Sequence, residues 1–260
     1  MSTERVSAKR ELGQHFLVDE NILGVIERLA RLDPEDVVLE IGPGLGVLTR
    51  YLAERVARVV AVEIDRTLEA RLADLSGAEN VEIVFGDALA LDLAALEPPT
   101  GKLVANLPYN VATPLVVESL DSLPSIERWC VMLQREVADR FFADPATKAY
   151  GAVSVLVQLA AERVGFHPVA RTVFRPRPNV DSALVAFVRR PLPPDFAAIK
   201  RVVQSAFAHR RKTLPNSLEL AGVASRDKAA RALGELGLGA AARAEELRPE
   251  QFVRLAELLG

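Results

Sequence analysis

Five short runs rich in β-branched and aliphatic residues, at 37–41, 59–64, 81–85, 102–106 and 128–133, alternate with segments at 47–55, 67–75, 113–120 and 134–142. In the latter, apolar residues recur every three or four positions, the period of a helix. Each of the five runs is almost continuously apolar at its centre, as a strand must be when helices cover both of its faces. The alternation therefore predicts an open α/β sheet of mainly parallel strands. In such a sheet ligands collect beyond the carboxyl ends of the strands, near the point where strand order reverses. Functional residues are expected just after each strand.

The pattern changes after Tyr150. Residues 151–161 read as one more buried helix. Residues 164–169 and 183–188 read as two antiparallel edge strands joined by the proline-rich stretch Phe174-Arg-Pro-Arg-Pro178. Pro191-Leu-Pro-Pro194 interrupts any regular element, and the Ala- and Leu-rich remainder is helical in pattern, ending in a helix with Pro249 in its first turn and Leu259 near its end. The chain has no internal repeat. The division expected is a large α/β domain over 1–190 and a small all-helical domain over 191–260.

With 260 residues, half of them apolar and 26% charged, the chain can bury a core without help from metals or disulfides. Cys130 is its one cysteine, and His15, His167 and His209 lack metal-ligand spacing, so a reducing compartment and no metal are expected. The polar start, residues 1–11, excludes a secretory signal, and no apolar run reaches the roughly 18 residues of a membrane span. These features describe a soluble protein of the cytoplasm. The net charge of −3 is unevenly placed: residues 162–215 hold eleven Lys or Arg against three acids. An acidic chain with one basic third suggests an anionic partner, with nucleic acid the first candidate.

The loops after the strands carry the chemistry. The first strand runs into Glu40-Ile-Gly42-Pro-Gly44-Leu-Gly46. Glycines let the backbone turn tightly and approach a ligand, with the next helix offering its amides. A dinucleotide fingerprint would place its third glycine where Val47 stands; glycine at every second residue is the form common for S-adenosylmethionine (SAM). Glu63, about 20 residues on and at the end of the second strand, is placed to accept bonds from both ribose hydroxyls, whereas Asp65 reads as the cap of the next helix. Asp87, after the third strand, can accept a bond from an adenine amine.

The fourth strand ends in Asn106-Leu107-Pro108-Tyr109, the most specific signal in the chain. An adenine amine has its lone pair delocalised into the ring. To methylate it, both hydrogens must be held by acceptors so that the lone pair faces the methyl donor. Asn106 supplies one acceptor through its amide oxygen. Leu107, held extended by the following proline, can supply its carbonyl as the second, and Pro108 fixes the turn. Tyr109 offers a ring on which an unstacked base can lie. A sulfonium is an activated donor, so positioning in a preorganised site accounts for most of the acceleration and no strong base is needed.

These residues resemble those of the KsgA-type small-subunit ribosomal RNA adenine N6,N6-dimethyltransferases. The resemblance extends from about Lys9 to Leu218 and includes Gly13-Gln-His-Phe-Leu17, Lys148-Ala-Tyr-Gly151, Phe174-Arg-Pro-Arg-Pro-Asn-Val-Asp-Ser182 and Phe207-Ala-His-Arg-Arg-Lys-Thr-Leu214. It implies a Rossmann-like, SAM-binding, mostly parallel seven-stranded domain with an N-terminal arm, followed by a helical domain that binds RNA or ribosome. It implies two methyl transfers to each of two adjacent adenosines in a hairpin near the 3′ end of small-subunit rRNA, and a part in ribosomal subunit maturation. By the same resemblance His15, Leu17, Gly42, Glu63, Asp87 and Asn106, with Gly44 of the glycine turn, contact SAM. Phe174 stacks on the face of the target base opposite Tyr109. Arg175, Arg177, Arg210, Arg211 and Lys212 meet RNA.

Two departures stand out. Pro215 occupies a place where relatives often carry a basic residue, so a helix running through Arg211 is expected to kink or end there. His15 stands where many relatives have Asn, and both can donate a hydrogen bond. The expected substrate is small-subunit rRNA in an immature particle, and the expected state is a monomer. Competing readings are a macrolide-resistance enzyme acting on large-subunit rRNA, which usually reads Asn-Ile-Pro-Tyr at the tetrapeptide, and an assembly factor that acts mainly by binding.

Overall fold

The computed structural model describes Lys9 and residues 12–260; the remainder of the charged start lies outside the described residues. Strands β1 (Phe16–Leu17), β2 (Val37–Ile41), β3 (Arg58–Glu63), β4 (Val81–Phe85), β5 (Lys102–Asn106), β6 (Arg128–Gln134), β7 (Ala161–Val169), β8 (Phe174–Arg175) and β9 (Ser182–Arg189) are interleaved with helices. The helices are α1 (Asn21–Ala30), α2 (Val47–Ala53), α3 (Glu69–Ser76), α4 (Ala112–Ser122), α5 (Arg135–Phe141), α6 (Ala152–Ala160), α7 (Phe196–Ala208), α8 (Leu214–Leu220), α9 (Arg226–Glu235) and α10 (Pro249–Leu259).

Seven strands form one sheet in the order β4-β3-β2-β5-β6-β9-β7, and β1 pairs with β8 in a separate two-stranded ribbon. The pairs from β4 through β6 are parallel, and β9 runs antiparallel to β6. The chain lays β3 and β4 on one side of β2 and crosses to β5 and β6 on the other, so the order reverses between β2 and β5. Beyond the carboxyl ends of those two strands the sheet opens a crevice.

Strand interiors account for the sheet's stability. Val38, Leu39, Val59, Val60, Leu103, Val104, Trp129 and Val131 are all fully buried. Each such side chain contributes roughly 1.5–3 kcal/mol of hydrophobic free energy relative to exposure. Trp129 stacks on Phe187 with ring centroids 5.2 Å apart, and its indole N–H donates to Ser119 Oγ at 2.9 Å. Arg189, counted in the basic third of the sequence, is a structural residue. Its guanidinium donates to the carbonyls of Leu120, Leu123 and Ile126 at 2.9, 2.7 and 2.6 Å, satisfying acceptors at the end of α4 that the helix leaves open. Cys130 is buried in β6, and burial pushes its thiol up to about 12.

The chain divides into two compact units. Residues up to Ala138, with Arg163–Arg189, form one; Asp139–Glu162, with Arg190–Gly260, form the other. This differs from a single break at 190: the segment carrying α6 joins the later helices. Its sequence, AVSVLVQLA, is apolar almost all round. A helix of that kind needs cover on more than one side, and α7 and α10 supply it. Tyr150 is fully buried in the same unit, where its hydroxyl donates to the Leu247 carbonyl at 2.8 Å and its ring meets Phe207 edge-on at 6.0 Å. Pro215 breaks no helix. The helix α7 ends at Ala208, and Pro215 lies in the first turn of α8, where its missing N–H costs nothing.

Candidate active site

A cavity enclosing about 1060 Å³ of non-atom space, its solvent-open part included, is lined by residues 12–17, 40–45, 47–48, 62–64, 86–89, 106–111 and 115. All belong to the first unit. The lining brings together the ends of β2, β3, β4 and β5 with the segment around β1. It includes His15, Leu17, Gly42, Gly44, Glu63, Asp87 and Asn106, which span more than 90 positions of sequence, and Leu107, Pro108 and Tyr109 beside them.

The glycine turn follows β2. Gly44 has φ +58° and Gly46 φ +74°, left-handed values that other residues rarely adopt. Space is short as well: a Cβ on Gly44 would lie 2.9 Å from the Phe16 ring, and one on Gly46 2.3 Å from Leu75 Cδ1. The turn points the Gly44 N–H at Glu63 Oε2, 3.0 Å away, while Glu63 Oε1 accepts the Asp65 N–H at 2.8 Å. Burial raises the Glu63 carboxyl, and these two amides oppose the rise. Each oxygen still has an acceptor site for a ligand hydroxyl. Asp87 is exposed at the cavity rim, with Oδ1 accepting the Leu89 N–H at 2.9 Å.

Asp65 does more than cap. It accepts the Thr67 N–H at 3.1 Å, as the sequence leads one to expect, and also takes Lys9 Nζ at 2.7 Å and Gln14 Nε2 at 3.0 Å. Burial works to raise its pKa, but the bonds from Lys9, Thr67 and Gln14 outweigh it and hold the carboxyl well below the usual range. The result ties Lys9 and Gln14 to the end of β3. Sequence reasoning missed this latch because its partners are far apart in the chain and follow no spacing rule.

Asn106 ends β5 half-buried. Its amide nitrogen donates to the His15 carbonyl at 2.9 Å, which orients the amide and leaves Oδ1 with no partner among the described residues. Leu107 donates its N–H to the Met132 carbonyl at 3.2 Å, while its own carbonyl has no partner among the described residues. The Tyr109 ring lies 5.3 Å from the His15 ring, tilted by 34°, and its hydroxyl is bonded to Ser182 Oγ. Burial raises the phenol's pKa. His15 Nδ1 lies 2.8 Å from the Pro176 carbonyl. A carbonyl only accepts, so Nδ1 carries the proton, and the ring's donor is taken within the protein. The donor role expected from the exchange with Asn is therefore not available at Nδ1, and in the neutral ring Nε2 is an acceptor.

Phe174, expected to stack on the target base, is fully buried, pairs with Leu17 in the β1–β8 ribbon, packs in the main core and is not among the residues lining the cavity. The apolar spacing on either side of it draws the ring inward, while its neighbours Arg175 and Arg177 are exposed.

Glu40 was overlooked by the sequence reading, although an acid inside the apolar run VVLEI was a visible signal. It lines the cavity at 1% exposure with Oε2 lacking a partner among the described residues; burial, opposed by the neighbouring Thr49 hydroxyl and aided by the charge of Glu63, pushes its pKa up to about 8. Among the described residues, none that lines the cavity is Lys or Arg. A buried carboxyl with an orphaned oxygen fits a cationic ligand such as SAM, which favours its ionised form.

A reversing parallel sheet, a glycine turn after its first strand and acids after the next two together define an α/β methyltransferase of the SAM-dependent class. A solved dimethyladenosine transferase from Plasmodium falciparum has the same fold, with TM-score 0.76 over 93% of this chain and 96% of that one at 24% identity. The structure of the 23S rRNA methyltransferase ErmE aligns with TM-score 0.65 and 32% identity, over 94% of this chain and 99% of that one. Ribosomal RNA small subunit methyltransferase A of Rubrobacter xylanophilus is 49% identical over 95% of this chain and 93% of its own length; its namesake in Streptomyces avermitilis is 46% identical over 98% and 89%. The profile for "Ribosomal RNA adenine dimethylase" matches residues 5–260, and the chain belongs to that family of SAM-dependent enzymes that methylate adenine in ribosomal RNA.

Proposed function

We propose that this enzyme dimethylates the N6 amines of two adjacent adenosines in the 3′-terminal hairpin of small-subunit rRNA, acting in the cytoplasm as a monomer on an immature small subunit. The observation that carries the reading is the oriented Asn106 amide: its nitrogen is held by the His15 carbonyl, and neither Oδ1 nor the carbonyl of Leu107, the next residue, has a partner among the described residues. Two acceptors from consecutive residues match the two hydrogens of an amine. Relatives at 42–49% identity bear a small-subunit name, which favours that substrate over large-subunit rRNA.

Glu63 holds the ribose hydroxyls, Asp87 the adenine amine, and Gly42, Gly44, His15 and Leu17 close around the rest of the cofactor. The buried Glu40 stabilises positive charge in the cavity. SAM bound there would supply a methyl group carried on a sulfonium, whose sulfur would be left as a neutral thioether. Asn106 and Leu107 grip the target N6 so that its lone pair faces that methyl, and Tyr109 supports the base. One N6 proton would become acidic as the nitrogen gained its fourth bond and would pass to water, so no residue need act as a strong base. No helix among the described residues is long and apolar enough to cross a membrane. Arg175 and Arg177 on the proline-rich loop, and Arg211 and Lys212 in the helical unit, are exposed without ion pairs among the described residues and serve as phosphate contacts. Arg210 also donates to the Tyr150 carbonyl at 3.2 Å, so it contributes to folding too.

Transfer of labelled methyl groups to purified under-methylated small and large subunits, followed by nucleoside analysis, tests the proposal. Dimethyladenosine confined to the small subunit is expected; its absence there, or its appearance in the large subunit, refutes it.

A further inference from the structure

Ser182 is the first residue of β9, 1% exposed, and sits opposite Gln134 on β6 in the sheet register. It does not line the cavity. A buried hydroxyl is costly unless it is bonded, and among the described residues the one side-chain partner of Ser182 is the Tyr109 hydroxyl, 2.5 Å away. Tyr109 in turn follows the β5 loop, where the phenol would otherwise be restrained only by packing.

We propose that Ser182 is a positioning residue for methyl transfer: its hydroxyl, fixed by the β6–β9 pairing, anchors the Tyr109 phenol and so sets the plane of the ring that supports the target adenine. The inference rests on the functional reading above, in which Tyr109 supports the base. The ring is held at two points. Ser182 fixes the hydroxyl end, and the His15 imidazole, itself tied to the Pro176 carbonyl, lies beside the ring at 5.3 Å. Both outside anchors therefore come through the segment 174–182, which also presents Arg175 and Arg177. Catalysis that depends on alignment is sensitive to such anchors, because a displacement of about 1 Å can cost roughly 100-fold in rate.

The test uses the full chain with small subunits that the wild-type enzyme methylates. Ser182→Ala should lower kcat by about 10-fold and leave the SAM dissociation constant within about twofold, because Ser182 lies outside the cavity. In a Tyr109→Phe background the same substitution should have no further effect, since the bond is already gone. Ser182→Cys, close in volume with a weak donor, should fall between wild type and Ser182→Ala and guards against simple misfolding. A readout independent of turnover is the carbon-13 spectrum of labelled tyrosine. The chain has three tyrosines, and Ser182→Ala should move the Tyr109 ring signal alone. An unchanged Tyr109 signal, an undiminished kcat, or a Ser182→Ala effect that persists in full on Tyr109→Phe overturns the proposal. Failure of the wild-type enzyme to methylate small subunits would instead strike the functional reading.

Discussion

The cavity of the first unit and the 209–213 turn of the second place their polar groups in opposite ways. In the cavity nearly every functional side chain is already committed inside the protein: Glu63 to two backbone amides, Asn106 to the His15 carbonyl, Tyr109 to Ser182. In the turn between α7 and α8, Arg211 and Lys212 extend into solvent with no ion pair among the described residues. The first arrangement is preorganised and gains rate from geometry; the second leaves charge available and gains affinity from whatever anion arrives. The contrast separates two kinds of failure that mutations should produce.

The largest effect is expected at Asn106. Asn106→Ala removes one of the two amine acceptors and should lower kcat by roughly 100- to 1000-fold, as loss of a preorganised polar group does elsewhere, while RNA binding persists. Single-turnover methylation beside a filter-binding measurement checks both halves. If subunit maturation survives this substitution but not loss of the protein, binding has a role separable from chemistry. Next comes the turn: the pair Arg211→Ala and Lys212→Ala should weaken RNA binding about tenfold or more near physiological salt. It should also reduce the log-log salt slope by about 1.4 to 1.8, with SAM binding untouched. An unaltered slope would show that these charges do not meet phosphate.

Smaller changes sharpen the cavity side. Asp65→Asn removes the charge that holds Lys9 and weakens the bonds to Gln14 and Thr67. Faster amide exchange in residues 12–17 and a few-fold weaker SAM affinity are expected, with full protection retained in β2 and β5. The smallest effect is a proton linkage. With its carboxyl pushed up to about 8, Glu40 is mostly protonated at pH 7 in the free protein, and a cation bound beside it favours the ionised form. Binding SAM should thus release a fraction of a proton at pH 7, and affinity should rise with pH toward 8 and then level off. Calorimetry in buffers of different ionisation enthalpy measures this, and Glu40→Gln should abolish the release.

How far the sequence could be read follows the same division between local and distant causes. Strands β2, β4 and β5 coincide with their apolar runs, which in the central strands β2 and β5 reflect burial between covered faces, and β3 differs only by starting at Arg58 and releasing Ile64. The glycine turn, Glu63, Asp87 and the Asn106–Tyr109 tetrapeptide were legible since each lies within a few residues of a strand end. What escaped was set by contacts across long stretches of chain. The bond from Asn106 to His15 spans 91 positions and the Lys9–Asp65 pair 56, and no periodicity encodes either. The apolar pattern of α6 announced burial but not which neighbours would cover it. Phe174 carried a motif suggestive of a stacking platform, yet its pairing with Leu17 in the β1–β8 ribbon takes the ring into the core.

The burial of Cys130 has a practical consequence. A thiol enclosed in β6, with its pKa pushed to about 12, presents almost no thiolate to a maleimide or a nitroxide reagent at neutral pH. The wild-type chain thus serves as its own unlabelled background, and a cysteine introduced at an exposed position such as Arg177 or Arg211 becomes the sole reactive handle. Pairs of such labels would allow the spacing between the proline-rich loop and the α7–α8 turn to be followed by spectroscopy as the enzyme engages a ribosomal particle.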